Sequence, residues 1–304
     1  MKKIIGLMLI AMMLIASLAG CSTTPAEETN GAPEAPAVGD AANKALVVVS
    51  FGTSYNDTRE LTIEATEKVL ADAHPDYEFV RAFTAQIIID KLQERDGLEI
   101  FNVEEAMEYL VDNDFGTVLI QPLHVMNGAE YDDLMAVVEE YEENFADLKI
   151  GQPLLSSTED FENVVEVVAG EMPELQEGEA LLLMGHGTHH HANTAYSALD
   201  YMFKYKGYED VYVGTVEGFP TLDAIMEQIE GKDYSKLYLM PLMIVAGDHA
   251  NNDMAGDEED AWKMILKAEG YDVEPVLMGL GQIEGIQQMF LEHLEAAISG
   301  EHAE

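Results

Sequence analysis

The sequence predicts an α/β protein for residues 44 to 298: two similar doubly wound lobes, each with a four-stranded parallel sheet flanked by helices, and a functional cleft between them. Three observations carry this. Apolar, β-branched runs alternate with amphipathic stretches of helical period, the pattern of strands covered on both faces by crossover helices. The run Val47-Val-Val-Ser-Phe51-Gly-Thr returns as Leu182-Leu-Met-Gly-His186-Gly-Thr. The run Gln121-Pro-Leu-His-Val-Met-Asn-Gly-Ala-Glu130 returns as Met240-Pro-Leu-Met-Ile-Val-Ala-Gly-Asp-His249. The two halves therefore repeat one unit, with Phe51 matched to His186 and Glu130 to His249.

In chain order, the apolar runs place strands at Ala45 to Ser50, Glu78 to Ala82, Thr117 to Gln121 and Leu148 to Leu154. The second set lies at Ala180 to Met184, Val211 to Val216, Lys236 to Met243 and Asp272 to Met278. Helical periodicity follows most of them, notably over Asp57 to Ala73, Tyr131 to Phe145, Asn193 to Lys206 and Asp253 to Glu269. A third match, Arg81-Ala-Phe-Thr with Glu217-Gly-Phe-Pro at the ends of second strands, sets Arg81 opposite Glu217. The first lobe is expected over residues 44 to 165 and the second over 166 to 304, and the second carries the imidazoles.

Ahead of the lobes, Met1-Lys2-Lys3, an uncharged run from Ile4 to Leu18 and Ala19-Gly20-Cys21 form the three parts of an export signal over residues 1 to 20. The single cysteine, directly after Leu18-Ala19-Gly20, makes the segment similar to a bacterial lipoprotein signal. In such a signal Cys21 would be lipidated and anchor an exported protein to the membrane, on the periplasmic or cell-surface side. Residues 21 to 43 are rich in Ala, Pro, Glu, Thr and Gly and have too little large apolar surface to order themselves, so they read as a tether. The net charge of −43, more negative by two once Lys2 and Lys3 are removed, excludes nucleic acid as a partner. With no cysteine after Cys21 the lobes have no disulfide and no thiolate metal site. Neither a Gly-x-Gly-x-x-Gly after the first strand nor a Walker motif is present, so no nucleotide is implied.

His186, Glu217 and His249 each stand just past an expected strand of the second half, where open α/β sheets bind ligands. Two imidazoles and a carboxylate suit a divalent ion of the cobalt, iron, nickel or zinc series and leave positions open for exchange. Glu130, at the matching place in the first half, either faces that cluster across the cleft or supports the helix starting at Tyr131. Arg81 either offers a positive fork to a substrate carboxylate or pairs with a neighbouring acid. Of His189-His190-His191 at most one should matter, because neighbouring side chains of an extended loop diverge. His124 belongs near the cleft wall, His74, His293 and His302 on the surface, and Asp257-Glu-Glu-Asp260 on the solvated face of a helix.

Several segments resemble one known family, the anaerobic sirohydrochlorin cobaltochelatases that work without ATP. They are Val48-Val-Ser-Phe-Gly-Thr-Ser-Tyr55, Arg81-Ala-Phe-Thr84, Leu123-His-Val-Met-Asn-Gly-Ala-Glu-Tyr131, Pro153-Leu-Leu-Ser-Ser157, Met184-Gly-His-Gly187 and Pro241-Leu-Met-Ile-Val-Ala-Gly-Asp-His-Ala250. The resemblance implies a lyase that inserts Co²⁺, with Fe²⁺ or Ni²⁺ as alternatives, into sirohydrochlorin, a carboxylate-rich tetrapyrrole of cobalamin-type biosynthesis, without a nucleotide. By position, His186, Glu217 and His249 correspond to the cobalt ligands and Glu130 to an active-site acid. The resemblance also implies that His186, as an imidazole, would accept a pyrrole proton. So acidic a body would repel a polyanionic substrate unless the cleft is locally positive, and Arg81 is the candidate for that charge. The export signal adds a second reading, a lipid-anchored protein that binds haem, another tetrapyrrole or a metal ion for uptake. Whether the chain forms a homo-oligomer is left open.

Overall fold

The computed structural model describes residues 37 to 300. The expected signal, Cys21, the tether as far as residue 36, and His302 lie outside the described residues. The first strand, β1 (Asp40–Ser50), sits inside its sheet because its last residues are apolar on both sides. Leu46 and Val48 point into one core, and Ala45, Val47 and Val49 into another. β1 pairs in parallel with β2 (Glu78–Phe83) and with β3 (Phe115–Pro122), and β3 pairs with β4 (Asp147–Ile150), giving the order β2-β1-β3-β4. The second half repeats this with β5 (Glu179–Gly185), β6 (Val211–Thr215), β7 (Lys236–Pro241) and β8 (Asp272–Pro275) in the order β6-β5-β7-β8. Each sheet reverses its winding beside its first strand, which opens a crevice at the carboxyl ends of the strands.

The helices are α1 (Asn56–Leu61), α2 (Ile63–Ala73), α3 (Gln86–Asp96), α4 (Val103–Asp112), α5 (Ala129–Tyr141) and α6 (Thr158–Glu171) in the first half. α7 (Thr194–Tyr205), α8 (Leu222–Ile229), α9 (Trp262–Ala268) and α10 (Glu284–Ser299) follow. α4 and α5 cover the outer face of the first sheet through Met107, Leu110, Leu134 and Val138. α8 and α9 cover that of the second through Ile225, Ile229, Trp262 and Leu266. The inner faces share one continuous core, in which Leu46 and Phe83 of one sheet and Leu181 and Val213 of the other meet α2, α3, α6, α7 and α10. Each large aliphatic or aromatic side chain fully buried there contributes roughly 1.5–3 kcal/mol.

That shared core changes the domain reading. α6 spans the expected boundary near residue 165 and packs against α7, whereas α10, from the end of the chain, packs against α2 and β4 of the first lobe. The two halves are thus laced together by exchanged helices. β1 begins at Asp40, so residues 40 to 43 of the expected tether are strand: Gly39 N–H donates to the Asn144 carbonyl (2.9 Å) and Asp40 N–H to that of Asp114 (3.1 Å). Backbone bonds hold this extension, and no apolar run announces it.

Five expected elements are shorter or broken. The helix over Asp57 to Ala73 breaks at Thr62, whose hydroxyl donates to the Thr58 carbonyl (2.5 Å). β4, β7 and β8 stop near Pro153, Pro241 and Pro275, residues that give no N–H to a ladder. The helix over Asp253 to Glu269 is a single π turn (Ala250–Met254) and then α9. Between them a Cβ at Gly256 would lie 2.1 Å from the Asn252 carbonyl oxygen, so the chain doubles back there, and Asp257 to Asp260 form an exposed turn instead of a helix face.

Candidate metal centre in the inter-lobe cleft

Strand pairing settles which positions of the two halves correspond. Pro122 and Pro241 lie at equivalent registers beside β1 and β5, which matches Glu130 with His249 as the repeat predicts. Phe83 lies beside Ser50 and Thr215 beside Gly185, so Arg81 corresponds to Val213 and not to Glu217. The sequence match at that place is out of register by four residues. Glu217 lies two residues beyond β6, whereas Arg81 is within β2.

Arg81 is therefore not in the cleft. Its Nε donates to Glu67 (2.7 Å), a second nitrogen bonds the other Glu67 oxygen, and Nη1 lies 3.3 Å from Glu64. Burial pushes the Glu67 carboxyl above its usual range, and the hydrogen bonds and charge of Arg81 counter that only in part. A guanidinium consumed by a buried carboxylate has no fork left for a substrate.

His186, Glu217 and His249 do come together, with one ligand atom from each lying within 4.8 Å of the others. The His186 and His249 rings are 4.6 Å apart and nearly perpendicular, at 85°. His186 follows β5 on a turn that only glycine permits: Gly187 has φ +89°, and a Cβ there would lie 2.4 Å from the Gly218 nitrogen. The Glu217 N–H donates to the His186 carbonyl (2.8 Å), which fixes the two loops to each other. Asn193 reinforces them, accepting from Thr188 N–H (3.0 Å) and donating to the Phe219 carbonyl (2.7 Å).

Ring orientation decides which nitrogens are free. His186 Nδ1 is 2.8 Å from the Gly187 carbonyl, which can only accept, so Nδ1 carries the hydrogen and Nε2 keeps the lone pair. His249 Nδ1 is 2.7 Å from Asp253, with the same consequence. Asp253, one helical turn after His249, is a partner the sequence reading missed, and its i,i+4 spacing was the available signal. Glu217 is exposed and the two imidazoles are half-buried, so both lone pairs and the carboxylate are accessible to a cation.

The cluster opens on a cleft of about 430 Å³ between the lobes, with an apolar wall that includes Phe51, Ile88, Val125 and Met243. Glu130, in the first turn of α5, lines the opposite side and accepts from the Thr84 hydroxyl (3.0 Å). His124 lies behind it, Nε2 at 3.7 Å from the Glu130 carboxylate, with both ring nitrogens buried and without a hydrogen bond. His189 lines the cleft, His190 pairs with Asp132 of the other lobe (3.2 Å), and none of the three consecutive histidines joins the cluster. His74 and His293 are half-buried, with His74 Nε2 3.5 Å from Glu295 and His293 Nε2 2.9 Å from Asp160, so neither is the open surface residue expected.

Two α/β lobes around an apolar-walled cleft that presents two imidazole lone pairs and a carboxylate define a class of protein equipped to hold a divalent metal ion beside a cavity. Residues 44 to 299 match the family model described as cobalt chelatase (CbiK), and the chain belongs to that family. It is 43% identical over 256 residues to a sirohydrochlorin cobaltochelatase of Salmonella typhimurium, covering 84% of this chain and 97% of that protein. It is 33% identical over 259 residues to sirohydrochlorin cobaltochelatase CbiKC of Nitratidesulfovibrio vulgaris, covering 84% and 91%. The fold is similar to that of SirB from Bacillus subtilis, solved with Fe³⁺, at a TM-score of 0.58 and 16% identity over 85% of this chain and 97% of that one.

Proposed function

We propose that the protein is a sirohydrochlorin cobaltochelatase, inserting Co²⁺ into the tetrapyrrole in the cleft without ATP. The single observation that carries the chemistry is the convergence of His186, Glu217 and His249 on one point at the cleft. Co²⁺ is the substrate metal, and a set of two nitrogens and one oxygen binds it while leaving coordination positions for the pyrrole nitrogens. Insertion forms four Co–N bonds and releases two N–H protons. Because His186 Nδ1 is held as a donor, its Nε2 lone pair can hold the ion or a proton but not both, so this nitrogen takes a proton as it gives up the metal. Glu130, facing the cleft from the other lobe with His124 behind it, is the second acceptor. No residue role here needs a phosphate site.

The test is anaerobic insertion by purified protein across Co²⁺, Fe²⁺, Ni²⁺ and Zn²⁺, followed by the visible spectrum of the tetrapyrrole. Wild type should insert Co²⁺, and folded His186→Ala should lose at least ~100-fold in kcat. Full turnover by His186→Ala removes the proposed acceptor. Tight tetrapyrrole binding with no insertion of any metal would instead favour a tetrapyrrole-binding role.

We also propose that the chain is exported and lipidated at Cys21, which would hold it at a membrane. The charged start, the apolar run and the lone cysteine after Leu18-Ala19-Gly20 support this.

A further inference from the structure

No lysine or arginine lines the cleft that holds the metal cluster, and Glu130, Glu217 and Asp248 all face it. A substrate with many peripheral carboxylates, which the proposed function implies, would meet carboxylates but no ammonium or guanidinium group there. With Arg81 consumed by Glu67, the charge that recognises those carboxylates must lie elsewhere.

A second cavity, of about 510 Å³, adjoins the cleft and shares Ser54 and Tyr55 with it. Lys91 and Arg95, one turn apart on α3, line it, and Asp57 is the one carboxylate that does. Arg95 is fixed in place, donating to the Ser54 carbonyl (2.7 Å) and to Asn56 (2.6 Å). It also pairs with Asp96, and its hydrogen bonds hold that carboxyl down at about 2. Its charge is thus largely offset. Lys91 is different: among the described residues its side chain makes no hydrogen bond, ion pair or ring contact. In a chain with 58 acids and 15 lysines and arginines, an unpaired ammonium beside the cleft is the one lining group with positive charge to spare.

We infer that the groove beside Lys91 and Arg95 is a carboxylate-binding subsite, in which Lys91 engages a peripheral carboxylate of the tetrapyrrole while the ring centre faces His186, Glu217 and His249. This rests on the proposed function for the identity of the ligand. Lys91 touches the rim of the substrate and not its reacting nitrogens, so its effect belongs in binding and not in the chemical step.

The experiment measures Kd for metal-free sirohydrochlorin by absorption titration and then KM and kcat for cobalt insertion, with Lys91→Gln, Lys91→Arg and Lys267→Gln beside wild type. Lys267 is exposed on α9 and lines neither cavity, so its variant controls for overall charge. Lys91→Gln should raise Kd and KM about fivefold with kcat unchanged. Lys91→Arg should restore both, and Lys267→Gln should leave both alone. An unchanged Kd in Lys91→Gln, or an equal rise in Lys267→Gln, overturns the subsite. Wild type that binds the tetrapyrrole but inserts no cobalt overturns the chelatase reading, and the Kd comparison still decides the subsite. Wild type that does not bind overturns both.

Discussion

Arg81 and His186 show how differently single residues were legible. His186 could be read because strand-end position and residue type are both local, and the glycine after it marks the turn that presents it. Arg81 sits in a motif of the same appearance, but its partner Glu67 comes from α2 and is matched only through the packing of helix on sheet. The structure assigns Arg81 to stability. Arg81→Met leaves Glu67 buried and unpaired, so it should cost about 2–3 kcal/mol in denaturant unfolding while the folded fraction keeps wild-type kcat/KM. Adding Glu67→Leu should recover most of the loss. A selective rise in KM for Arg81→Met would return this arginine to substrate binding.

At the scale of elements, the joint between α6 and α10 is the feature that no periodicity announced. Its polar centre is the half-buried His293 on α10 bonded to the buried Asp160 on α6, 2.9 Å apart. Burial alone would lower the pKa of His293, but the hydrogen bond and charge of Asp160 outweigh it and raise the value. Burial likewise would raise that of Asp160, and His293, the Ser156 N–H and the Ser157 side chain pull it down instead. The raised histidine contributes stability that is complete below its unfolded pKa of about 6.5 and is lost as pH rises through the folded value. The lowered acid contributes above its unfolded value of about 3.9 and loses its effect as pH falls through the folded one. Asp160→Asn keeps the oxygen that caps α6 but loses the charge. It should therefore unfold more easily by about 2 kcal/mol near pH 5.5, with the gap to wild type narrowing towards pH 9. A gap that does not change with pH would show that the ion pair is not what joins these helices.

For the whole molecule, the alternation of strands and helices and the internal repeat made the two four-stranded parallel sheets legible, down to the register that matches Glu130 with His249. The proposed anchor acts at this scale too. Wild type should fractionate with membranes and Cys21→Ser should not, with equal kcat/KM in detergent; a Cys21→Ser protein that stays on the membrane would refute lipidation at that residue. By itself the sequence determined the fold class and placed two imidazoles and an acid at strand ends, because backbone periodicity and strand-end turns are properties of neighbouring residues. Only the tertiary structure decided that Arg81 is consumed by Glu67, that both His124 ring nitrogens are buried without a hydrogen bond, that α6 and α10 lace the halves together, and that Lys91 is left unpaired beside the cleft. Those outcomes depend on which distant side chains meet, and a pairing between segments far apart in the chain leaves no periodic trace in either one.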